Sequence, residues 1–304
     1  MEYDIFQQEA IAVSGGHHLV LAPPGCGKTD ILSRRIEYAH QQGVAYSDML
    51  CLTFTNRASK GMQERVSRNT NEPVPTDLFI GNVHRFCAQF LFENNVIPQN
   101  TAIIDEFDFD SIIRDLAITM VDDVWGQQVS PHAIVNLQHA IWQKCRGVDE
   151  RVMLHSESLD NVRRAFSELE EMSGLDYVGV YEHIEELWVK VEDFLLSEAV
   201  RLIRLARRYQ LYKAENDMLD FDDLLVLTFD TVSRLDEWRH YNWIQIDEVQ
   251  DLSPAQLAII DIFTGDDPTV VYLGDEQQAI FSFIGAKIET LEMLKQRCKG
   301  NIHR

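Results

Sequence analysis

The 304-residue sequence has few of the features that mark fibrous, disulfide-stapled, disordered or membrane-spanning chains. Eight prolines, 15 glycines and five cysteines exclude a collagen-like repeat, a disulfide scaffold and wholesale disorder. No uncharged apolar run approaches the roughly 18–20 residues that span a membrane, and the N-terminus is acidic where a secretory signal is basic and then apolar. We therefore predict a cytoplasmic chain without a membrane partner, long enough for two domains.

Paired cysteines at metal-ligand spacing are also missing from the sequence. The five cysteines are odd in number, scattered, and form neither a CxxC motif nor a Cys/His cluster; they are Cys26, Cys51, Cys87, Cys145 and Cys298. This pattern predicts reduced thiols and excludes a zinc-stapled fold.

Positive charge is scarce, since 27 Lys and Arg residues oppose 49 Asp and Glu residues and give a formal net charge of −22. Such a balance argues against a nucleic-acid partner. The excess is uneven, however, with −2 in residues 1–100, −14 in 101–200 and −6 in 201–304. Because the outer thirds are close to neutral, they leave room for a local basic groove.

Hydrophobic patterning divides the chain into two kinds of segment. Residues 1–104 and 217–304 alternate short apolar strands with helical segments, which predicts an α/β fold with a parallel sheet and helices on both faces. Residues 105–216 keep only helical spacing and predict an all-helical insertion. Strands are predicted at 18–22, 49–54, 78–83, 243–248 and 269–275.

The clearest chemical motif is a phosphate-binding loop, APPGCGKT, between the first predicted strand and a helix. Small residues let backbone N–H groups wrap phosphates at the helix N-terminus, while Lys28 reaches the β and γ oxygens and Thr29 ligates Mg²⁺. A glycine-rich turn before an ordinary helix is the alternative, which the terminal GKT makes less favourable. The predicted nucleotide-binding residues are Gln7 (discussed below), Ala22, Pro23, Pro24, Gly25, Cys26, Gly27, Lys28 and Thr29.

A second carboxylate site follows the apolar run WIQI, where Asp247 and Glu248 stand at a predicted strand end. With a phosphate-binding loop in the same chain, Asp247 is predicted to hold Mg²⁺ and Glu248 to act as the general base for the attacking water. Taken alone, an acidic pair at a strand end more often caps a helix or faces solvent.

Several further motifs occur in the order found in the UvrD/Rep-like superfamily 1 DNA helicases, and the chain resembles the N-terminal part of that family. They are QQEAI at 7–11, LTFTNRAS at 52–59, GNVHRFC at 81–87, LDFDDLL at 219–225, DEVQD at 247–251 and GDEQQAIFSFIGA at 274–286. The resemblance implies a RecA-like ATP-binding domain at 1–104 and 217–304, and a helical subdomain of the type called 1B at 105–216.

The resemblance also implies an ATP- and Mg²⁺-dependent helicase or translocase that moves 3′ to 5′ on single-stranded DNA or a single/double-strand junction. It implies that Gln7 reads the adenine edge and Gln278 senses the γ-phosphate, beside catalytic Lys28, Asp247 and Glu248. The residues implied to contact DNA are Phe54, Thr55, Asn56, Arg57, His84 and Phe283. Repair or recombination proteins are possible partners that the sequence does not identify. On pattern alone Phe54 fits a core position equally well, and His84 fits a helix cap or a hydrogen-bonded core position.

The chain departs from the family pattern at several positions. Asp30 follows the GKT where the family commonly has Arg, and Phe281, Phe283 and Ile284 stand where motif III usually carries Tyr, Trp and Arg. The sequence also stops before the family's second RecA-like domain, which supplies arginine fingers worth roughly 10³–10⁵ in rate. We therefore predict nucleotide binding but negligible hydrolysis by this chain.

Two other functions compete with a DNA motor. A helicase-like ATP switch would bind ATP and DNA and recruit a partner without unwinding. A nucleotide kinase is disfavoured by the glutamines at 7 and 278 and by the DEVQD block. The acidic group Asp220, Asp222 and Asp223 is interpreted as a helix start rather than a metal site.

Overall fold

A computed structural model describes residues 3–23, 25–70, 72–119, 157–187, 194–280 and 286–303. The chain separates into two compact units, one formed by Met1–Val96 with Leu225–Arg304 and the other by Ile97–Leu224. The domain boundaries predicted at 104/105 and 216/217 lie inside the second unit. The reason is a short two-stranded ladder with one strand before the helical segment and one after it. Both strands belong to the second unit.

The described residues form eight strands, numbered along the chain. They are β1 (Gly16–Leu21), β2 (Met49–Leu52), β3 (Phe79–Gly81), β4 (Ala102–Ile103), β5 (Met218–Leu219), β6 (Tyr241–Ile246), β7 (Thr264–Gly274) and β8 (Ile302–His303). Six of them build one sheet in the order β3-β2-β6-β7-β1-β8, in which every neighbouring pair is parallel. The predicted α/β class with a parallel sheet is confirmed.

The helices are likewise numbered along the described chain. They are α1 (Ile5–Ala12), α2 (Lys28–Gln41), α3 (Asn56–Thr70), α4 (Val83–Glu93), α5 (Glu106–Thr119), α6 (Glu157–Ser173), α7 (Tyr177–Glu182), α8 (Ile184–Leu187), α9 (Phe194–Glu215), α10 (Phe221–Val232), α11 (Pro254–Ile262), α12 (Glu276–Ile280) and α13 (Ala286–Arg297). Two 3₁₀ turns lie at Tyr46–Asp48 and Val249–Asp251. No helix within the described ranges is long and apolar enough to cross a membrane.

The sheet of the first unit forms where the sequence carries continuous apolar runs. All four residues of β2 and the last four of β6 are buried, as in parallel sheets that are covered on both faces. The helix after β6 begins as its sequence predicts, because Ser253 and Gln256 form a capping box and Pro254 occupies the first helical position.

Three short strands were not predicted from the sequence. β4, β5 and β8 have two residues each, too few to show a period-2 pattern. β4 pairs with β5, and β8 pairs with β1 across nearly the whole length of the chain. Such pairings follow from distant contacts and not from local preference.

Within the described residues, the second unit is helical apart from the β4–β5 ladder. Its core gathers side chains from α5 to α9, among them Phe109, Phe166, Val180, Ile203 and Tyr209. The 1B-type assignment of this segment stays a prediction. Residues 120–156 and 188–193, which fall inside the predicted insertion, lie outside the described residues.

A buried ion cluster joins the end of α9 to the start of α10. The ammonium of Lys213 donates to Asp220 Oδ2 at 2.6 Å and to Asp223 Oδ2 at 2.5 Å. The Lys213 side chain is 6% exposed and that of Asp220 is 10% exposed. This acidic group therefore holds a lysine and begins a helix.

Replacing Lys213 with Met is expected to destabilise the chain by about 3–5 kcal/mol, because it leaves a buried carboxylate without its cation. The measurement is urea unfolding followed by circular dichroism. The control is Lys295→Met, which removes a more exposed pair with Glu276 and Glu292 and should cost at most about 1 kcal/mol. Equal losses in the two variants would contradict the prediction.

Candidate active site

The phosphate-binding loop runs from the end of β1 to the start of α2. Ala22 N–H donates to the carbonyl of Gly274 at 3.0 Å, which joins the start of the loop to the end of β7. Gly25 and Gly27 have φ of 82° and 76°, in the left-handed region that favours glycine. Gly27 is the N-cap of α2 and has no side chain to cap the first turn. The backbone N–H groups of that turn are therefore available to bind an anion. Pro24 lies outside the described residues.

Lys28, the first residue of α2, directs its ammonium back over this loop. Its side chain is 8% exposed. Nζ donates to the carbonyl of Ala22 at 3.2 Å and lies 3.9 Å from Glu248 Oε2. The ammonium thus lies between the loop and the end of β6. A phosphate oxygen bound here would replace its long contacts with Ala22 and Glu248.

Asp247 and Thr29, predicted as the two Mg²⁺ ligands, meet across α2 and β6. Asp247 is only 3% exposed, and its N–H donates to the carbonyl of Leu52 on the neighbouring strand at 2.9 Å. Burial, together with the charge of Glu248, raises the pKa of Asp247 to about 6 against the smaller opposing effects of the Glu248 N–H, Lys28 and the Thr29 hydroxyl. A carboxylate and a hydroxyl side by side fit the oxygen ligands that Mg²⁺ prefers.

Glu248 has an unusual backbone conformation. Its φ of 51° and ψ of 47° are left-handed, a region that few non-glycine residues adopt and in which strained active-site residues are found. Its N–H donates to Asp247 Oδ1 at 3.0 Å, and its carboxylate accepts from Gln250 Nε2 at 2.7 Å. The carboxylate that is predicted to act as general base is therefore held by a neighbouring amide.

Gln250 and Asp275 are site residues that the sequence did not single out. Gln250 is fully buried, and its Oε1 accepts from the backbone N–H of Asp275 at 3.1 Å, which leaves the amide nitrogen facing Glu248. The Asp275 carboxylate in turn accepts from Gln278 Nε2 at 3.1 Å. A chain of hydrogen bonds thus runs from Gln278 to Glu248. The sequence signal for Gln250 and Asp275 is that each stands in a motif block next to a predicted strand end.

The close approach of these two motifs depends on Gly274 at the end of β7. A Cβ at this position would lie 2.8 Å from Val249 Cγ2 and 3.1 Å from Gln250 Oε1. A side chain here would push the 3₁₀ turn away from β7 and break the link between Gln250 and Asp275.

Gln7 lies beside the phosphate-binding loop, at the start of α1. Its Nε2 donates to the carbonyl of Cys26 at 3.3 Å. It also forms a capping box with Asp4, in which Gln7 Oε1 accepts from Asp4 N–H at 3.2 Å. Asp30, which replaces the family's usual Arg, accepts a hydrogen bond from the Tyr3 hydroxyl at 2.5 Å. This contact links the residues before α1 to α2.

The residues predicted to contact DNA follow β2 and β3, which are neighbours in the sheet. Phe54 is 45% exposed and is therefore not a core residue. Asn56 accepts a hydrogen bond from Asn82 Nδ2 at 3.1 Å, which joins the two loops. Thr55 and Arg57 are exposed beside them, although the Thr55 hydroxyl accepts from Ala58 N–H and helps to begin α3.

His84, on the first turn of α4, is half-buried, and its Nε2 lies 3.0 Å from Gln256 Nε2. The cap of that helix is Asn82, whose side chain accepts from Arg85 N–H, so His84 is not the cap. Phe283, with Phe281 and Ile284, lies outside the described residues.

The comparison with known families follows this geometry. Residues 4–299 match the family model of the UvrD/REP helicase N-terminal domain. The chain belongs to this family. This UvrD/REP domain is 25% identical over 298 residues to an ATP-dependent DNA helicase PcrA of Staphylococcus aureus strain NCTC 8325, covering 94% of the chain and 34% of the relative. It is 26% identical to the PcrA of Staphylococcus epidermidis strain ATCC 12228, covering 94% and 35%.

The UvrD/REP match confirms the resemblance seen in the motifs. The domain spans about a third of the length of the PcrA relatives that it matches.

Proposed function

We propose that this chain is the ATP-binding part of an ATP-dependent DNA helicase or single-stranded DNA translocase that couples hydrolysis to 3′-to-5′ movement. The observation that carries the proposal is the convergence of Lys28, Asp247 and Glu248 beside an uncapped helix N-terminus. In this proposal residues 1–104 and 217–304 form the RecA-like ATP-binding domain, and residues 105–216 the 1B-type insertion. The PcrA relatives, which are named as ATP-dependent DNA helicases, support the same activity.

The phosphates of ATP would lie on the N–H groups of the first turn of α2, with the Lys28 ammonium against the β and γ oxygens. Thr29 and Asp247 would hold Mg²⁺, which neutralises phosphate charge when it is bound. Glu248 would accept the proton of the attacking water, held in position by the amide of Gln250. Gln278 would sense the γ-phosphate through the hydrogen-bond chain that ends at Glu248.

Adenine selection follows from the free hydrogen-bonding capacity of the Gln7 side chain. An amide has two N–H donors and two acceptor lone pairs. The contacts to Cys26 and Asp4 use one of each, so one donor and one acceptor remain. This pair matches N7 and N6 of adenine, whereas guanine presents acceptors at both positions. The chain should therefore prefer ATP to GTP.

Single-stranded DNA would cross the loops that follow β2 and β3. Phe54 offers an exposed ring for base stacking, worth about 1–3 kcal/mol per base. Asn56, Arg57 and His84 supply polar contacts to the backbone on either side. Because β6 lies between β2 and β7, both ligands would face the carboxyl edge of one sheet.

The test is fluorescence anisotropy of a labelled oligo-dT at low salt, with and without Mg²⁺ and a non-hydrolysable ATP analogue. We expect nucleotide to change DNA affinity, and Phe54→Ala to weaken DNA binding by roughly 5- to 150-fold. The matched control is Phe107→Ala, since Phe107 is 87% exposed on α5 of the other unit and should be silent.

The other outcomes would each contradict a different part of the proposal. DNA binding that ignores nucleotide would favour the ATP-switch alternative over a motor. A Phe54→Ala variant that binds DNA as the Phe107→Ala variant does would overturn the DNA surface, and absence of nucleotide binding would overturn the ATP site.

A further inference from the structure

Arg35 is a fully buried arginine in the middle of α2, the helix that follows the phosphate-binding loop. Its relative exposure is 0%, and burial lowers the pKa of its guanidinium to about 9. The guanidinium carbon lies 4.7 Å from the ring centre of Trp243. The Nε and Nη2 atoms have no hydrogen-bond partner among the described residues.

All the hydrogen bonds of Arg35 go to one place, the C-terminal end of α1. Its Nη1 donates to the carbonyls of Ala10 at 2.7 Å, Ile11 at 3.0 Å and Val13 at 2.9 Å. These are carbonyls that a helix end leaves without an intrahelical partner. The side chain thus acts as a C-cap supplied by another helix.

Besides this contact, Ala10 and the partly buried Ile11 and Val13 hold the C-terminal end of α1 on the core. The helix has eight residues, and Ala10 is its only buried side chain. Its N-terminal end is held by Gln7 on the Cys26 carbonyl and by Tyr3 on Asp30. A buried guanidinium that is paired only with carbonyls is costly. In return the guanidinium holds the C-terminal end of α1 on α2, so both ends of α1 are fixed.

We propose that Arg35 is a positioning residue for nucleobase selection, which holds the C-terminal end of α1 so that the Gln7 amide stays in register with the adenine edge. This inference rests on the proposed ATP site. The helix is eight residues and about 12 Å long, so losing the anchor at its C-terminal end lets it rotate about the Cys26 contact. Such a rotation changes the direction in which the Gln7 amide points. The phosphate contacts belong to Lys28 and the start of α2, and they should be unaffected.

The test measures dissociation constants of this chain for Mg·ATP, Mg·GTP and Mg·tripolyphosphate. Arg35→Met keeps similar length and volume but removes every donor. We expect it to reduce the ATP-over-GTP preference by as much as Gln7→Ala does, up to roughly 5- to 150-fold, the range of one bidentate base contact. Tripolyphosphate affinity should stay within about twofold of wild type. The Gln7→Ala/Arg35→Met double variant should lose no further preference, because both act through the same amide.

The outcomes separate the two proposals. If Gln7→Ala leaves the ATP-over-GTP preference unchanged, the adenine assignment in the proposed function is wrong. If Gln7→Ala removes that preference while Arg35→Met keeps it, the positioning role is wrong. Loss of tripolyphosphate binding in a folded Arg35→Met protein would also overturn it, since Arg35 would then support the phosphate loop itself.

Two further variants keep the test decisive. Arg35→Lys provides three N–H donors for three carbonyls and should retain most of the preference; a loss equal to that of Arg35→Met would contradict the capping argument. Should circular dichroism show that Arg35→Met does not fold, Arg35→Gln is measured instead. Its side chain is two bonds shorter than that of arginine, so its amide donors do not reach the α1 carbonyls, and it must reproduce the Gln7→Ala ratio.

Discussion

Replacing Lys28 with alanine is expected to lower the affinity of this chain for Mg·ATP by roughly a hundredfold, as a lost charge-assisted hydrogen bond of up to about 3 kcal/mol requires. The ammonium is 8% exposed and stands between the loop carbonyl of Ala22 and the carboxylate of Glu248. Water screens such a buried cation poorly, so its interaction with a phosphate is strong. The measurement is titration with a fluorescent ATP analogue in the presence of Mg²⁺.

The matched control for Lys28→Ala is Lys60→Ala, because Lys60 is an exposed lysine on α3 of the same unit. It should bind the analogue as wild type does. Thermal unfolding of both variants checks that the loss is local. Binding by Lys28→Ala within about threefold of wild type would mean that the phosphates do not contact this loop, and the ATP-site proposal would fail with it.

Local chemistry made the sheet and the loop predictable. β2 and the buried ends of β1, β6 and β7 read as apolar runs, as strands covered on both faces do, whereas the first half of β7, TGDDP, is polar and was not predicted. The GKT sequence needs only a preceding strand to indicate its position. The pairing of Lys28 with Asp247 could be predicted although they are far apart in the sequence, because a phosphate-binding loop requires an acidic residue at the end of another strand.

The connections within the site could not be predicted in the same way. Gln250 meets Asp275 because β6 and β7 are neighbours, which is a property of strand order and not of either segment. Arg34 and Arg35 are adjacent in the sequence and equally charged. Yet Arg34 pairs with Glu37 near the surface, and Arg35 is fully buried. The helical period of α2 indicates which arginine is buried, because position 35 lies on the face of Ile31, Leu32 and Ala39. It does not indicate the partner of Arg35, the end of α1, because that contact depends on how two helices pack.

Replacing Asp247 with asparagine should remove the gain in ATP affinity that Mg²⁺ provides at pH 8. The wild type should lose the same gain as the pH falls through about 6, because the raised pKa of Asp247 lets a proton take the place of the metal. ATP itself titrates in this range, so the Asp247→Asn protein, measured at each pH, supplies the baseline. A Mg²⁺-dependent gain of equal size in both proteins at pH 8 would show that Asp247 is not a ligand.

The same pKa shift predicts that Asp247→Asn stabilises the metal-free chain. The carboxyl has a pKa near 3.8 when unfolded and about 6 when folded. Its stabilising contribution is therefore complete below pH 3.8 and lost as the pH rises through about 6. At pH 8 the ionised side chain costs roughly 2–3 kcal/mol, which asparagine avoids while still accepting hydrogen bonds.

Urea unfolding without Mg²⁺ measures this difference. Asp247→Asn should unfold at a higher urea concentration than wild type at pH 8, and the gap should narrow at pH 5. A variant less stable than wild type at pH 8 would contradict the argument, because it would show that the charge stabilises the fold on its own. The expected result would mean that ionised Asp247 lowers the unfolding free energy of the metal-free domain and that a bound cation would compensate for this cost. Such a loss of stability is common at functional sites.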